Sequence, residues 1–354
     1  MKTLVTGAAG FIGSHVAERL AAAGHVVRGL FRSDAQEHFV RGLGAEPARG
    51  DVTQLDSLRA AAAGVETIYH VAARVTDWGR WEQFESATVR GTENMLQAAA
   101  EAGVRRFVLV SSVAVYDDRI GERIHVVPET TPHNGVGDRL LGHYSRAKVL
   151  AEEAAWDAHR RGRLEVSVVR PAWVYGPRDR TVLPRLVEFV SLPLACWLGR
   201  RDPVIDPIYV TDVADCAILA GTHAAAAGQA FNVAPMEEIR LRDFLQRLCG
   251  TLGLRTPRWT APYPLVMAAA RAIEGAAKLC GATNPPFLTV GAVAAVTCNR
   301  HYDSSKAIRD LGWRPAVSLD RGIALTAEWF RQQPEFAWAR RQNQERIRTA
   351  DSSQ

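Results

Sequence analysis

Apolar and polar positions alternate along the first half of this chain in two rhythms. Residues 2–6 form a short apolar run of buried-strand type, and residues 11–23 then carry Phe11, Ile12, Val16 and Leu20 at helical spacing. Strand-like runs return at 26–31, 67–71 and 107–111, with a further strand expected just ahead of Asp51. A helical pattern over 89–102 stops at Gly103, a residue suited to helix ends. Strands that alternate with helices need crossovers, so the pattern predicts an α/β fold with a doubly wound parallel sheet covered on both faces.

Past Arg170 the rhythm breaks up, with prolines at 171, 177, 184, 193, 203 and 207. Residues 231–233 read as a late strand, and 241–252, 304–311 and 319–331 as helices. Residues 264–280 predict a helix with Arg271, Glu274 and Lys278 on one stripe and apolar side chains elsewhere. Such a wide apolar face packs on a core, covers an apolar pocket or touches a membrane surface. The expected organisation is a dinucleotide-binding domain from 1–170 and 204–234 and a smaller, mostly C-terminal α/β substrate domain from 171–203 and 235–334. Residues 335–354 read as a polar tail.

Composition narrows the options. At 354 residues, 47% hydrophobic and 23% charged, the chain reads as a soluble globular protein with a large core. Its net charge of +5 comes from scattered arginines without a basic run, which argues against a nucleic-acid partner. The cysteines, at 196, 216, 249, 280 and 298, have no paired spacing, which fits a reducing compartment and argues against a metal site. Residues 287–296, the longest apolar stretch, are too short to span a bilayer, and no leader pattern precedes the first strand. A cytoplasmic location is expected, with peripheral membrane contact and a homodimer left open.

The chemistry starts at TGAAGFIG. A strand–glycine-turn–helix unit aims unpaired helix N–H groups, and the positive end of the helix dipole, at whatever sits on the turn. Gly7 makes the tight turn, Gly10 admits a pyrophosphate to the backbone, and Gly13 lets helix and strand pack closely. This predicts a Rossmann-type dinucleotide site. An acid at the end of the second strand would favour NAD, but VVRGLFRSD puts Phe31 there, followed by Arg32 and Ser33. A guanidinium suits a 2′-phosphate, so NADP is expected, with NAD as the alternative. Asp34 falls beyond the strand end, and Asp51 is a candidate for the adenine amino group.

VLVSSVAVY leaves Ser111 and Ser112 at the carboxyl end of a strand, where open α/β sheets bind ligands. Further on, HYSRAKVLAEEAAWDA is a clear helix that carries Tyr144 and Lys148 on one face. A phenol titrates near ~10, and a neighbouring ammonium stabilises its phenolate and lowers that value. Such a pair, with a serine hydroxyl on the substrate oxygen, moves a proton while a nicotinamide takes or gives a hydride.

With these residues the chain resembles an extended short-chain dehydrogenase/reductase over nearly its whole length. TGAAGFIG, HVAA, SSVAVY, YSRAK, RPAWVYGPRD, YVTDVA and DSSKAIRDLGWRP fall in that family's order. The resemblance implies that Ser112 is the catalytic serine, with Ser111 as the alternative. It implies that Tyr144 is the acid/base, and that Lys148 is its partner and also holds the nicotinamide ribose. It places cofactor contacts at Gly7, Gly10, Phe11, Ile12, Gly13, Arg32, Ser33, Asp51, Val52, Ala72, Ala73, Tyr144, Lys148 and Pro171. One departure is Thr88, which stands where the family usually has an asparagine that sets backbone and water geometry.

Sugar-nucleotide branches of that family usually carry a polar asparagine and an arginine at the positions of Trp173 and Ile205. A diphosphate site would not give up both contacts for large apolar side chains. The segments VIDPIYV and NPPFLTVGAVAAVTCNRHYDSSKA are instead similar to 3β-hydroxysteroid dehydrogenases and sterol-4α-carboxylate 3-dehydrogenases. The expectation is a secondary alcohol/ketone oxidoreductase acting on a steroid-like or other bulky apolar substrate. Alternatives are a reductase of long-chain β-keto lipids or dihydroflavonol-like ketones, a nucleotide-sugar epimerase or dehydratase, and a non-catalytic NADP-binding sensor or scaffold.

Overall fold

A seven-stranded parallel sheet forms the frame. The structure, a computed structural model, describes residues 1–116, 125–133, 142–192, 195–199, 202–297 and 299–333. The tail expected over 335–354 and Cys298 lie outside the described residues.

The first half reads β1 (Lys2–Thr6), α1 (Phe11–Ala22), β2 (Val26–Phe31), α2 (Glu37–Gly42), β3 (Glu46–Arg49), α3 (Leu55–Ala62), β4 (Thr67–His70), α4 (Gly91–Glu101) and β5 (Arg106–Val110). There follow α5 (Gly142–Arg160), β6 (Glu165–Pro171), α6 (Val182–Ser191), α7 (Val210–Thr222) and β7 (Ala230–Val233). The strands lie in the order β7-β6-β5-β4-β1-β2-β3, so the order reverses between β1 and β4. That reversal opens a crevice at the carboxyl ends of the strands.

Period-two alternation explains why the sheet is covered on both faces. Leu4, Ile68, Phe107 and Leu109 join Leu58 of α3 and Met95 of α4 in one buried cluster. Val5, Tyr69, Val108 and Val110 join Val16 and Leu20 of α1 and Val213 of α7 in the other. The periodic pattern expected over 89–102 begins later as regular helix, because Glu85–Arg90 forms a wide π turn ahead of α4. Thr88 lies in that turn.

The rest of the chain comprises α8 (Leu241–Leu252), α9 (Tyr263–Leu279), α10 (Val290–Ala295), α11 (Ser305–Leu311) and α12 (Leu319–Gln332). Two-stranded pairings link Trp173–Tyr175 with Pro207–Tyr209, Val204–Ile205 with Ile239–Arg240, and Trp197–Leu198 with Thr260–Ala261. A separate apolar cluster gathers Leu183 of α6, Phe244 of α8 and Phe330 of α12. Not all of the late chain belongs to it. Tyr302, Ala307, Leu311 and Trp313, expected in the C-terminal domain, pack into the sheet's own cluster. The indole N–H of Trp313 donates to the Asp212 carbonyl of α7 at 2.9 Å.

Helix α9 covers the span expected for it and buries only Val266, Met267 and Ala270. Leu265 and Leu279 stay 64% and 91% exposed. Among the described residues, no helix is long and apolar enough to cross a membrane.

Candidate active site

The glycine turn sits at the β1/β4 reversal. Gly7 has φ +66°, and a side chain there would come within 3.1 Å of the Ala72 backbone at the end of β4. A Cβ on Gly13 would overlap the Gly7 carbonyl oxygen and approach its carbon to 2.7 Å. Gly7 is therefore required by the left-handed turn and its approach to the Ala72 backbone, and Gly13 by the close passage of α1 over that turn. Gly10 is the N-cap of α1, has no side chain to occupy the first-turn N–H groups, and donates its own N–H to the Gly7 carbonyl at 2.8 Å. Phe11 and Ile12, both half-buried, form the first turn. An open helix N-terminus beside a backbone cradle that excludes Cβ atoms suits a dinucleotide pyrophosphate.

The remaining strand ends face the same crevice. Thr6 Oγ1 accepts the N–H groups of Val71 and Ala72, each at 3.1 Å, and also pairs with His70 Nδ1 at 3.0 Å. His70 reaches Thr92 through its other nitrogen at 3.1 Å. Burial, with the charge of Lys148, drives the His70 imidazole down to about 3, so it stays neutral. Ala73 is half-buried, and Pro171 closes β6 beside Val233.

Arg32 and Ser33 stand exposed after β2, where their backbone N–H groups share Gln36 Oε1 at 3.1 and 3.3 Å. Asp34 turns away and pairs with Arg49 at 2.7 Å, so its carboxylate is matched without Arg32. Asp51 Oδ1 accepts both the N–H and the hydroxyl of Thr53 at 2.8 Å, which commits one carboxylate oxygen to the local turn. Val52 is buried, and a Cβ on Gly91 would meet its side chain at 2.9 Å.

Ser112, Tyr144 and Lys148 come together at the carboxyl end of β5. Lys148 is buried and donates to the Val110 carbonyl, the last of that strand, at 2.9 Å. Ser112 caps the short turn Val113–Val115 by accepting the Ala114 N–H at 3.1 Å, and its side chain shares a hydrogen bond with the Tyr144 phenol. Ser145, next to Tyr144, donates to the Ala114 carbonyl and fixes the start of α5 against that turn. Ser111 is buried instead, with its hydroxyl unpartnered among the described residues.

The expected lowering of the phenol does not appear. Burial pushes Tyr144 above its ordinary value, and the Ser112 hydrogen bond opposes that only in part. The physical reason is the apolar surroundings: Tyr144 packs against the cluster of Phe84, Val89 and Ala147. Burial also pulls Lys148 down to about 8, against an upward push from Glu152.

The residues that hold α5 in place include Arg170 and Tyr116, which the motifs RPAWVYGPRD and SSVAVY contain without announcing this role. Glu152, one helical turn beyond Lys148, is fully buried and receives Arg170 of β6 in a fork, Nε at 3.0 Å and Nη2 at 2.7 Å. Arg170 Nη1 donates to the Tyr116 hydroxyl at 2.8 Å, and His133 lies 3.1 Å from the Glu152 carboxylate. Burial alone would raise Glu152, but Arg170 and His133 hold it at about 2. Thr88 contributes differently from an asparagine: its hydroxyl accepts the Arg74 N–H at 3.0 Å and so pins the loop after β4. Trp173 and Ile205 both enter the C-terminal apolar cluster, Trp173 at 5.2 Å from the Phe244 ring, so both apolar choices serve packing there.

Comparison with known proteins gives this geometry a context. Residues 3–234 match the NAD dependent epimerase/dehydratase family. A 3 beta-hydroxysteroid dehydrogenase/Delta 5-->4-isomerase of Mycobacterium tuberculosis is 30% identical, over 91% of this chain and 88% of its own. A 2-alkyl-3-oxoalkanoate reductase of Shewanella oneidensis is 27% identical, over 90% and 84%. Among solved structures, that of gox2253 superposes with a TM-score of 0.75 at 30% identity, covering 93% of this chain and 98% of that one.

Proposed function

This chain belongs to the NAD dependent epimerase/dehydratase family of extended short-chain dehydrogenase/reductases, and from that premise we propose that it interconverts a secondary alcohol and a ketone on a steroid-like or other bulky apolar substrate. The observation that carries the proposal is the meeting of Ser112, Tyr144 and Lys148 at the end of β5, within the crevice that the glycine turn opens. When bound, the nicotinamide supplies or accepts the hydride. Ser112 and Tyr144 hydrogen-bond the substrate oxygen, and in reduction Tyr144 passes its proton to that oxygen. A phenol held above its ordinary value is fully protonated at neutral pH and ready to act as the acid. Lys148, ammonium below about 8, offsets the phenolate charge that develops and holds the nicotinamide ribose. The two related enzymes named above support an alcohol/ketone pair on a lipid-like skeleton.

NADP is the cofactor we propose, on the strength of the exposed Arg32 and of Asp34 being matched by Arg49. The apolar surroundings of Tyr144 and the apolar roles of Trp173 and Ile205 support a non-sugar substrate. The test follows nicotinamide absorbance with 3β-hydroxysteroids, 3-ketosteroids and long-chain 3-oxoalkanoates, alongside UDP-sugars. Turnover of an apolar alcohol or ketone is expected. Turnover of sugar nucleotides alone would replace this reading with the epimerase one.

A further inference from the structure

We infer that the outward face of α9 is a docking surface for an anionic lipid bilayer. The inference stands apart from the substrate reading, since neither cofactor nor turnover enters it. Helix α9 turns Val266, Met267 and Ala270 inward, where they pack with Ala261 and Val293. At about 3.6 residues per turn, the opposite face carries Leu265, Ala268, Ala269, Ala272, Ala276 and Leu279, all of them exposed. A surface helix ordinarily sets polar side chains opposite its buried stripe. This one is apolar on both sides.

The charges identify the partner. Arg271 and Lys278, about two turns apart, run along one edge of the outward face, and both are exposed. Glu274, the one acid of the helix, turns inward: one carboxylate oxygen accepts the Val290 N–H at 3.0 Å and the other pairs with Lys278 at 2.7 Å. From 255 to 287 the sequence sets four cations, Arg255, Arg258, Arg271 and Lys278, against that single acid, and all four are exposed. Trp259 and Tyr263 stand at the start of the helix, 48% and 42% exposed, and Phe287 follows it at 56%. With Leu265 and Leu279 they make up five of the eleven large apolar side chains exposed among the described residues. Single exposed apolar residues are ordinary, whereas a concentration along one helix and its flanks marks a contact surface.

A bilayer suits this face better than a second copy of the chain. Protein interfaces place their large anchors at the centre. Here the centre is alanine, and Leu265 and Leu279 stand at the two ends, about 21 Å apart at the helical rise. Two copies meeting there would gain little between alanines and would bring cations to a shared rim. A helix that lies in the headgroup boundary uses an apolar face, cations for anionic headgroups, and tryptophan or tyrosine at the margin. The face is also held firmly. The Trp78 indole N–H, on the loop after β4, donates to the Ala282 carbonyl just past α9 at 3.0 Å, and the Lys278 ammonium lies 5.8 Å from the same ring.

The experiment floats the full chain with vesicles of equimolar phosphatidylserine and phosphatidylcholine, and with vesicles of phosphatidylcholine alone. Binding should be tighter to the anionic vesicles by at least about fivefold, the value of one cation near such a surface, and should weaken as salt rises. Leu265→Gln combined with Leu279→Gln should weaken it by at least about tenfold, because two leucines lose their place in the acyl boundary. Both leucines are exposed, so the core stays intact, and melting curves show that the variant is folded. Arg271→Gln should lower binding to the anionic vesicles alone. No binding to either vesicle, or wild-type binding by the folded double variant, overturns the proposal. Equal binding to both vesicles overturns the assignment to anionic lipid. Self-association without lipid, abolished in the double variant, would give the face to a second copy instead.

Discussion

Replacing Glu152 by glutamine tests what holds the helix of Tyr144 and Lys148 in place. The carboxylate is fully buried and meets Arg170 in a fork at 2.7 and 3.0 Å, so the substitution leaves Arg170 as a buried charge without its counter-ion. Loss of one partner of a buried pair costs about 3–5 kcal/mol. Linkage gives a similar figure: a carboxyl at about 2 in the folded chain against an ordinary 4.5 contributes about 3 kcal/mol near neutral pH. At roughly 2–4 °C per kcal/mol, the melting temperature should drop by about 6–12 °C. The sign with pH is set by the lowered value. The contribution is complete above an ordinary carboxyl pKa and is lost as pH falls through the folded one. Melting curves of both proteins from pH 7 downward should therefore converge in acid. Equal melting temperatures at pH 7, or a gap that does not shrink on acidification, would refute the reasoning. A second readout is kinetic: Glu152 pushes Lys148 upward, so without it the alkaline limb of activity should move to lower pH.

Two further outcomes follow from the cofactor crevice. Gly13→Ala should abolish nicotinamide-cofactor binding in fluorescence titrations, because its Cβ would force apart the Gly7 carbonyl and α1; binding at the wild-type level would show that the cradle is not where the cofactor sits. Arg32→Ala should weaken NADPH by about 10–100-fold, the value of a charge-assisted phosphate contact, and leave NADH nearly unchanged; an unaltered NADPH affinity would count against Arg32 as the 2′-phosphate reader.

Motifs that are short in sequence were legible because their chemistry is local. The strand, the Gly7–Gly10–Gly13 turn and α1 follow one another directly, and Tyr144 and Lys148 share a face by helical geometry alone. The same reasoning placed Ser112 at a strand end, but burial was needed to see that Ser111 turns inward. What stayed hidden depends on partners far apart. Arg170 and Glu152 sit on different elements 18 residues apart, and Arg185 meets Asp77 across 108 residues. No periodicity announces either pair. The phenol's direction was misjudged for a related reason. The Tyr/Lys spacing argued for a lowered value, while Phe84 and Val89, which make its surroundings apolar, arrive from another stretch of chain. The π turn at Glu85–Arg90 likewise departs from the 3.6-residue rhythm that made α4 recognisable.

The most direct measurement compares wild-type and Tyr144→Phe proteins on whichever alcohol or ketone the absorbance screen identifies, with cofactor affinity titrated in parallel. The account predicts cofactor binding within about twofold of wild type and turnover lower by at least about a hundredfold, the scale of positioned acid/base catalysis. Turnover at the wild-type rate from a protein that lacks only this hydroxyl would contradict it.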